Sequence, residues 1–193
     1  HDIVQRPSRI DVRAQFVDIA ARRFSAEGFQ ATSLDDIASE AGYSKAAVLY
    51  HFGSKDDLLV AVVRKHIDET TELVSSLEEL PAGPDRTERA ISDLVSLALS
   101  RRPDVPFTLS PAHDLATAMA RHPELMLRFG EVRERMGRLL VGPQASVAQR
   151  VRLIVAFSGI PALLIELRDI PAEQLHGPIC DVLRDAVNPK ETP

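Results

Sequence analysis

The chain has 193 residues, 45% hydrophobic and 26% charged, with a net charge of −5. These values are ordinary for a soluble globular protein long enough to bury a real core, as one compact unit or two small subdomains. The single cysteine, Cys180, excludes an intramolecular disulfide framework, and the acidic balance argues against a general polyanion binder.

The start, His1 to Arg9, is polar, lacks an initiator Met and shows no signal peptide, so a reducing cytoplasm is the expected location. The first helix is predicted over residues 8–27, with Ile10, Val17 and Phe24 recurring at sevens and Ala14, Ala20 and Ala21 on the same side. Gly28 ends it. Ser33 caps a short second helix, with Asp36 three residues on in a capping-box pattern and Leu34, Ile37, Ala38 and Ala41 as the buried side. Gly42 breaks that helix, and Ser44 caps a third carrying Ala47, Val48 and Leu49. After Gly53, Ser54 opens a long fourth helix to about Leu80.

Pro81-Ala82-Gly83-Pro84 is a stop. Further helices are predicted over residues 85–100, 112–121, 123–140, 145–167 and 171–187, the last kinked or split at Gly177-Pro178. That makes an all-α chain of about nine helices. The longest nearly apolar run, Leu153 to Ile165, is interrupted by Ser158, Gly159 and Pro161, and a membrane span needs about 20 apolar residues, so none is expected. Aromatics are only 5% and Trp is absent, which suits helices packed on helices.

Three short helices broken at Gly28 and Gly42 form a tri-helical unit whose second and third members read as a helix-turn-helix. In that motif the second helix enters the DNA major groove with its N-terminal residues toward the bases. Those residues here are Ser44, Lys45, Ala46 and Ala47: small side chains that allow close approach, and one ammonium that donates to guanine acceptors. Residues 1–65 carry nine Lys/Arg and nine Asp/Glu, so a nucleic-acid contact has to rest on where charges sit. Periodicity alone is met equally well by a helical hairpin in a bundle. Tyr50, His51 and Lys55 follow the helix start at positions suited to phosphate oxygens.

The stretch from Phe24 to Leu58, FSAEGFQATSLDDIASEAGYSKAAVLYHFGSKDDL, resembles the DNA-binding signature of the TetR family of transcriptional regulators over roughly the first third of the chain. The resemblance implies a helix-turn-helix domain followed by a helical effector-binding and dimerisation domain. It implies that Thr32, Ser33, Tyr50, His51 and Lys55 hold phosphates of double-stranded operator DNA. Ser44 would cap the recognition helix, and Lys45, Ala46 and Ala47 would face bases. Two positions depart from the family pattern: Tyr43 replaces a small aliphatic residue, and Asp35 stands where a basic residue is frequent and would repel a nearby phosphate.

Other groups are weaker signals. Asp35-Asp36 lacks the further carboxylate that a metal-diphosphate motif needs. His176 and Cys180 have i,i+4 spacing, but two ligands do not make a metal site. Phe107, His113, Met119, Met126, Phe129 and Phe157, with Met136, are candidates to line an effector pocket, although apolar residues at helical spacing are more often plain core and a histidine near a helix end is more often at the surface. Ala156, Ser158, Gly159 and Ala162 form a small-residue patch suited to a dimer seam. The expected organisation is an arm at 1–8, a DNA-binding domain at 9–53 and an effector and dimerisation domain at 54–193. The expected function is a homodimeric, ligand-responsive repressor of an inverted-repeat operator. Its partners are DNA and a small apolar effector, with no cofactor, metal or membrane. No nucleophile–base pair, metal cluster or Gly-rich phosphate loop points to catalysis. The alternative is a helical small-molecule-binding protein or enzyme that has lost DNA binding.

Overall fold

The computed structural model describes residues 9–101 and 120–188. Among these residues there are eight helices and no strand: α1 (Arg9–Glu27), α2 (Leu34–Ala41), α3 (Lys45–Phe52), α4 (Lys55–Glu78), α5 (Pro84–Ser100), α6 (Pro123–Val141), α7 (Val147–Glu166) and α8 (Ala172–Val187). The chain is all-α, as its periodicity requires. The helix expected over 112–121 lies outside the described residues except for its last two positions.

Two apolar cores sit along α4. Val12, Phe16, Val17, Ala20 and Phe24 of α1 meet Leu34 and Ile37 of α2, Val48 and Phe52 of α3 and the first half of α4. Val74 and Leu77, near the other end of α4, join α5, α6, α7 and α8 in the second core. The first core therefore does not stop at residue 53: Leu58, Leu59, Val62 and Ile67 of α4, and Leu125 from α6, belong to it. Ile10 is 80% exposed and Ala14 is exposed too, whereas Val17, Ala20, Ala21 and Phe24 are buried, so the expected α1 stripe holds except at its first two positions. Val12, Phe16 and Ile19 complete the buried side at steps of four and three residues.

Helix α6 lies alongside α4 and runs parallel to it. Arg121 pairs with Asp56 at 3.3 Å, Glu124 with Arg64 at 3.7 Å, Arg128 with Asp68, and Arg135 with Glu78 at 2.6 Å, so the partner numbers rise together. Between the two cores α4 is polar, and there Arg101 at the end of α5 donates to Glu69, to Thr70 Oγ1 and to the His66 carbonyl. Arg135 holds the Glu78 carboxyl below the ordinary range of a glutamate.

The two ends of α7 are set by a capping box, Ser146 with Gln149, and by Leu167. Ser158, Gly159 and Pro161 do not interrupt it, and by length and composition α7 is apolar enough to cross a membrane. Nor do Gly177 and Pro178 split α8, which is continuous from Ala172 to Val187. The missing N–H of Pro178 deprives the Gln174 carbonyl of a partner, and Gln174 is exposed, so water can take its place.

Leu125 is fully buried in the first core although its helix belongs mainly to the second. Leu125→Ala is expected to destabilise the protein by about 2–5 kcal/mol. Met126→Ala, at the exposed next position, should stay within about 0.5 kcal/mol. Urea unfolding of the two variants beside the wild type measures both; similar midpoints for all three would remove Leu125 from the core.

Candidate nucleic-acid interface

The local chemistry of residues 32–55 fixes two short helices and the turn between them. Ser33 adopts an extended backbone, its hydroxyl accepts the Asp36 N–H at 3.1 Å, and its own N–H is accepted by Asp36 Oδ2 at 2.9 Å. The Ser33 hydroxyl, hydrogen-bonded to the Asp36 carboxylate, holds that carboxyl below the usual range. Asp36 is thus a capping residue, which accounts for half of the Asp35-Asp36 pair. At the other end Gly42 takes φ 76°, the left-handed conformation that closes a helix, and the Tyr43 N–H returns to the Ala38 carbonyl at 2.9 Å. The Tyr43 ring stands edge-on to Phe16 at 5.5 Å, so the aromatic departure at this position is absorbed by packing on α1.

Ser44 then caps α3 by accepting the Ala47 N–H. Val48 and Phe52 anchor α3 in the first core, while Ser44, Lys45 and Ala46 are exposed and Ala47 partly so. Tyr50 is 70% exposed, next to His51, whose half-buried ring stacks edge-on against both Tyr50 and Phe16. Lys55 lies over the Phe29 ring at 4.4 Å with its ammonium 3.4 Å from the Gln30 carbonyl. Ser33, Ser44, Lys45, Ala46 and Tyr50 are thus exposed on the tri-helical unit, with Ala47 partly so. Leu49, expected in the core, is 38% exposed, because the turn of α3 that carries Val48 and Phe52 points it outward.

Thr32 departs from its expected role. It is buried, 1% exposed, and its hydroxyl donates to the Gly28 carbonyl at 3.0 Å, so it staples the α1–α2 loop instead of meeting a phosphate. Two features escaped sequence reasoning. Arg13 lies over the Phe52 ring at 4.8 Å, a cation added to this unit by α1. Lys45 Nζ donates to Asp35 Oδ2 at 2.8 Å across the turn. The unit is further tied by Glu40, which accepts from Arg22 and Arg23 at 2.8 and 2.6 Å; Arg22 first and then Arg23 draw its carboxyl below the ordinary range. That tie is complete above the pH at which a free glutamate titrates and is lost as pH falls through the lowered folded value.

A groove of about 710 Å³ runs between α6 and α7 and touches Thr70 of α4. Phe129, Met136, Leu153, Ile154 and Phe157 line it together with Arg133, Arg138 and Arg150. Arg138 is paired with Glu134, while Arg133 and Arg150 make no ion pair among the described residues. Phe129 and Phe157 both line this groove. Met126 is not among the lining; it lies one turn too early on α6 and is exposed. Phe107, His113 and Met119 lie outside the described residues. The small-residue patch also divides: Ser158, Gly159 and Ala162 are exposed, whereas Ala156 packs toward the second core. Val151 and Val155 continue the exposed stripe by one-turn steps toward the start of α7.

His176 and Cys180 share one face of α8, because that helix is continuous. His176 Nε2 lies 3.2 Å from the Ser92 carbonyl and 3.0 Å from Ser96 Oγ, and Cys180 Sγ is 3.7 Å from His176 Nδ1. The carbonyl can only accept, so Nε2 carries the proton and Nδ1 is left to accept from the thiol. This is a packing tie between α5 and α8. Among the described residues no group of three or more His, Cys, Asp or Glu could hold a metal ion.

A short tri-helical head with an exposed, capped second helix of the motif, carried on a helical bundle, has the architecture of a helix-turn-helix unit. Residues 16–62 match the model of bacterial regulatory proteins of the tetR family. An uncharacterized HTH-type transcriptional regulator of Bacillus subtilis, YerO, is 35% identical over 71 residues, 37% of this chain and 25% of that protein. The HTH-type nicotine-responsive transcriptional repressor HdnoR of Paenarthrobacter nicotinovorans is 25% identical over 94% of this chain and 96% of its own length. The match to YerO thus spans about a quarter of that relative's length, and a match to the activator FasR of Mycolicibacterium smegmatis about a third. The crystal structure of a TerR/AcrR-family transcriptional regulator from Aquifex aeolicus superposes with a TM-score of 0.68 at 15% identity, covering 90% of this chain and 98% of that one. The chain has the fold of the TetR/AcrR-family transcriptional regulators, with the family's DNA-binding domain at its N-terminus.

Burial pushes the Cys180 thiol above its ordinary value, which keeps it in the unreactive protonated form. Iodoacetamide at pH 8 is expected to label Cys180 at least tenfold faster in denaturant than in the native protein, read by intact mass. Equal rates would show that α8 does not stay packed on α5.

Proposed function

We infer that the protein is a ligand-responsive repressor that binds an inverted repeat of double-stranded DNA as a homodimer. The observation that carries this reading is the exposed start of α3, Ser44 to Ala47, capped and aimed outward on a head anchored by Val48 and Phe52. Backbone N–H groups and small side chains at such a helix start can approach base edges closely, while Ser33 and Tyr50 flank it with hydroxyls suited to phosphate oxygens.

A dimer is supported by the stripe of Val151, Val155, Ser158, Gly159 and Ala162 on α7, with Val182 exposed on α8. A monomer in water would leave this apolar face uncovered, and small residues let a second copy approach closely. The same cover accounts for an α7 apolar enough for a membrane. Twofold symmetry would set two α3 helices about one DNA turn, roughly 34–36 Å, or a multiple of it, apart.

The effector site is the α6–α7 groove. Its apolar lining suits a hydrophobic body, and Arg133 and Arg150 suit an anionic group on that body. HdnoR is by name responsive to nicotine, which supports an effector-controlled repressor, but these arginines disfavour a cationic amine here. An occupied groove would shift α6, and the ion pairs from Arg121 to Arg135 would carry that shift to α4 and the head. By linkage, DNA must weaken effector binding by the same factor that effector weakens DNA binding.

The test is selection from random duplex DNA at moderate salt with wild type and Tyr50→Ala in parallel. Wild type is expected to recover an inverted repeat, and Tyr50→Ala to bind that repeat more weakly with a shallower salt dependence. If folded wild-type protein recovers no sequence, the DNA reading fails and a helical ligand-binding protein takes its place.

A further inference from the structure

Asp35 and Lys45 stand at the N-terminal starts of α2 and α3, ten positions apart, and are joined by the 2.8 Å contact across the turn. Their side chains are 63% and 51% exposed, so the pair contributes little to holding the fold. Asp35 takes no part in the helix cap either; Ser33 and Asp36 form it. An exposed carboxylate on the surface offered to a polyanion lowers affinity for every duplex, so a compensating contact on one particular sequence is what would offset it.

We propose that the Asp35–Lys45 pair reads one G·C base pair in each half-site, Lys45 donating to guanine O6 and N7 and Asp35 accepting the free N4 proton of the paired cytosine. The proposal rests on the DNA-binding reading above and adds to it a specificity-determining carboxylate. Guanine O6 and cytosine N4 are joined by a Watson–Crick N–H···O bond of about 2.9–3.0 Å. The Lys45 ammonium and Asp35 carboxylate are separated by nearly the same distance. Laid over the major-groove edge of the base pair, the ammonium faces a carbonyl and the carboxylate faces an amine. The four groups then close a ring of hydrogen bonds without parting the ion pair.

The other base pairs fail in definite ways. An A·T pair in the same orientation sets the ammonium against the adenine amine and the carboxylate against thymine O4. A T·A pair restores the order of acceptor and donor but puts the thymine methyl group where guanine offers N7. A C·G pair reverses the order. On non-specific DNA the carboxylate neutralises the lysine that would otherwise hold a phosphate. The pair therefore turns a general cation into a discriminator.

Selection from random duplex DNA with wild type, Asp35→Asn and Lys45→Ala tests this, with thermal melting of each protein alongside. Wild type is expected to require G·C at one position of each half-site. Both variants should lose that preference, by about 5- to 150-fold, and keep the other positions. Asp35→Asn should also bind random-sequence duplex more tightly, with a salt slope steeper by about one. An Asp35→Asn consensus identical to wild type at every position overturns the proposal, as does weaker binding of Asp35→Asn to random duplex. Failure of wild type to select any sequence overturns the DNA-binding reading itself and this role with it.

Discussion

Helix α4 belongs to two hydrophobic cores at once, and the relation between the head and the bundle depends on it. Leu58 to Val62 and Ile67 are buried with α1, α2 and α3, while Val74 and Leu77 are buried with α5 to α8. The stretch between them is polar and is held from outside by Arg101 and Arg128. An apolar middle would fuse the cores into one. A polar middle with directional ion pairs joins them through a helix whose orientation is set by charges, and α6 supplies Glu124, Arg128 and Arg135 to it in a parallel run.

That arrangement gives the α6–α7 groove a mechanical outlet. The residues of α6 that face the groove and those that grip α4 alternate along one helix: Phe129, Arg133 and Met136 line the groove, while Arg128 and Arg135 reach α4. A rigid helix cannot move one set without the other. Leu125 extends the same helix into the first core, so displacement of α6 also perturbs the packing beneath α3. The ion pairs are partly exposed and individually weak, as the effector-driven shift proposed above would need.

The head was largely legible in the sequence because its signals are local. Ser33 with Asp36, Gly42 and Ser44 each act within a few residues, and the caps they predict are the caps that form. Ser146 and Gln149 follow the same rule and would have placed the start of α7 correctly had they been read as a capping box. What was not legible depends on contacts between distant positions. Thr32 looks like a surface hydroxyl until folding buries it within the α1–α2 loop, its hydroxyl on the Gly28 carbonyl. Asp35 looks purely repulsive until the turn brings Lys45 to it. Gly177 and Pro178 suggest a break, yet packing of Leu175, Ile179, Cys180 and Leu183 on the second core holds α8 together through them. The groove is the least legible of all, since Phe129 and Phe157 have the spacing of core residues and only tertiary structure leaves space between their helices.

The central claim is that DNA meets the face formed by the starts of α2 and α3. Hydrogen exchange read by mass spectrometry, with and without a selected duplex at moderate salt, tests it most directly. The account predicts slowed exchange in peptides covering Ser33 to His51, with the α7 and α8 peptides unchanged. Protection confined to α7 and α8, or an unchanged α2–α3 region under saturating duplex, would contradict it.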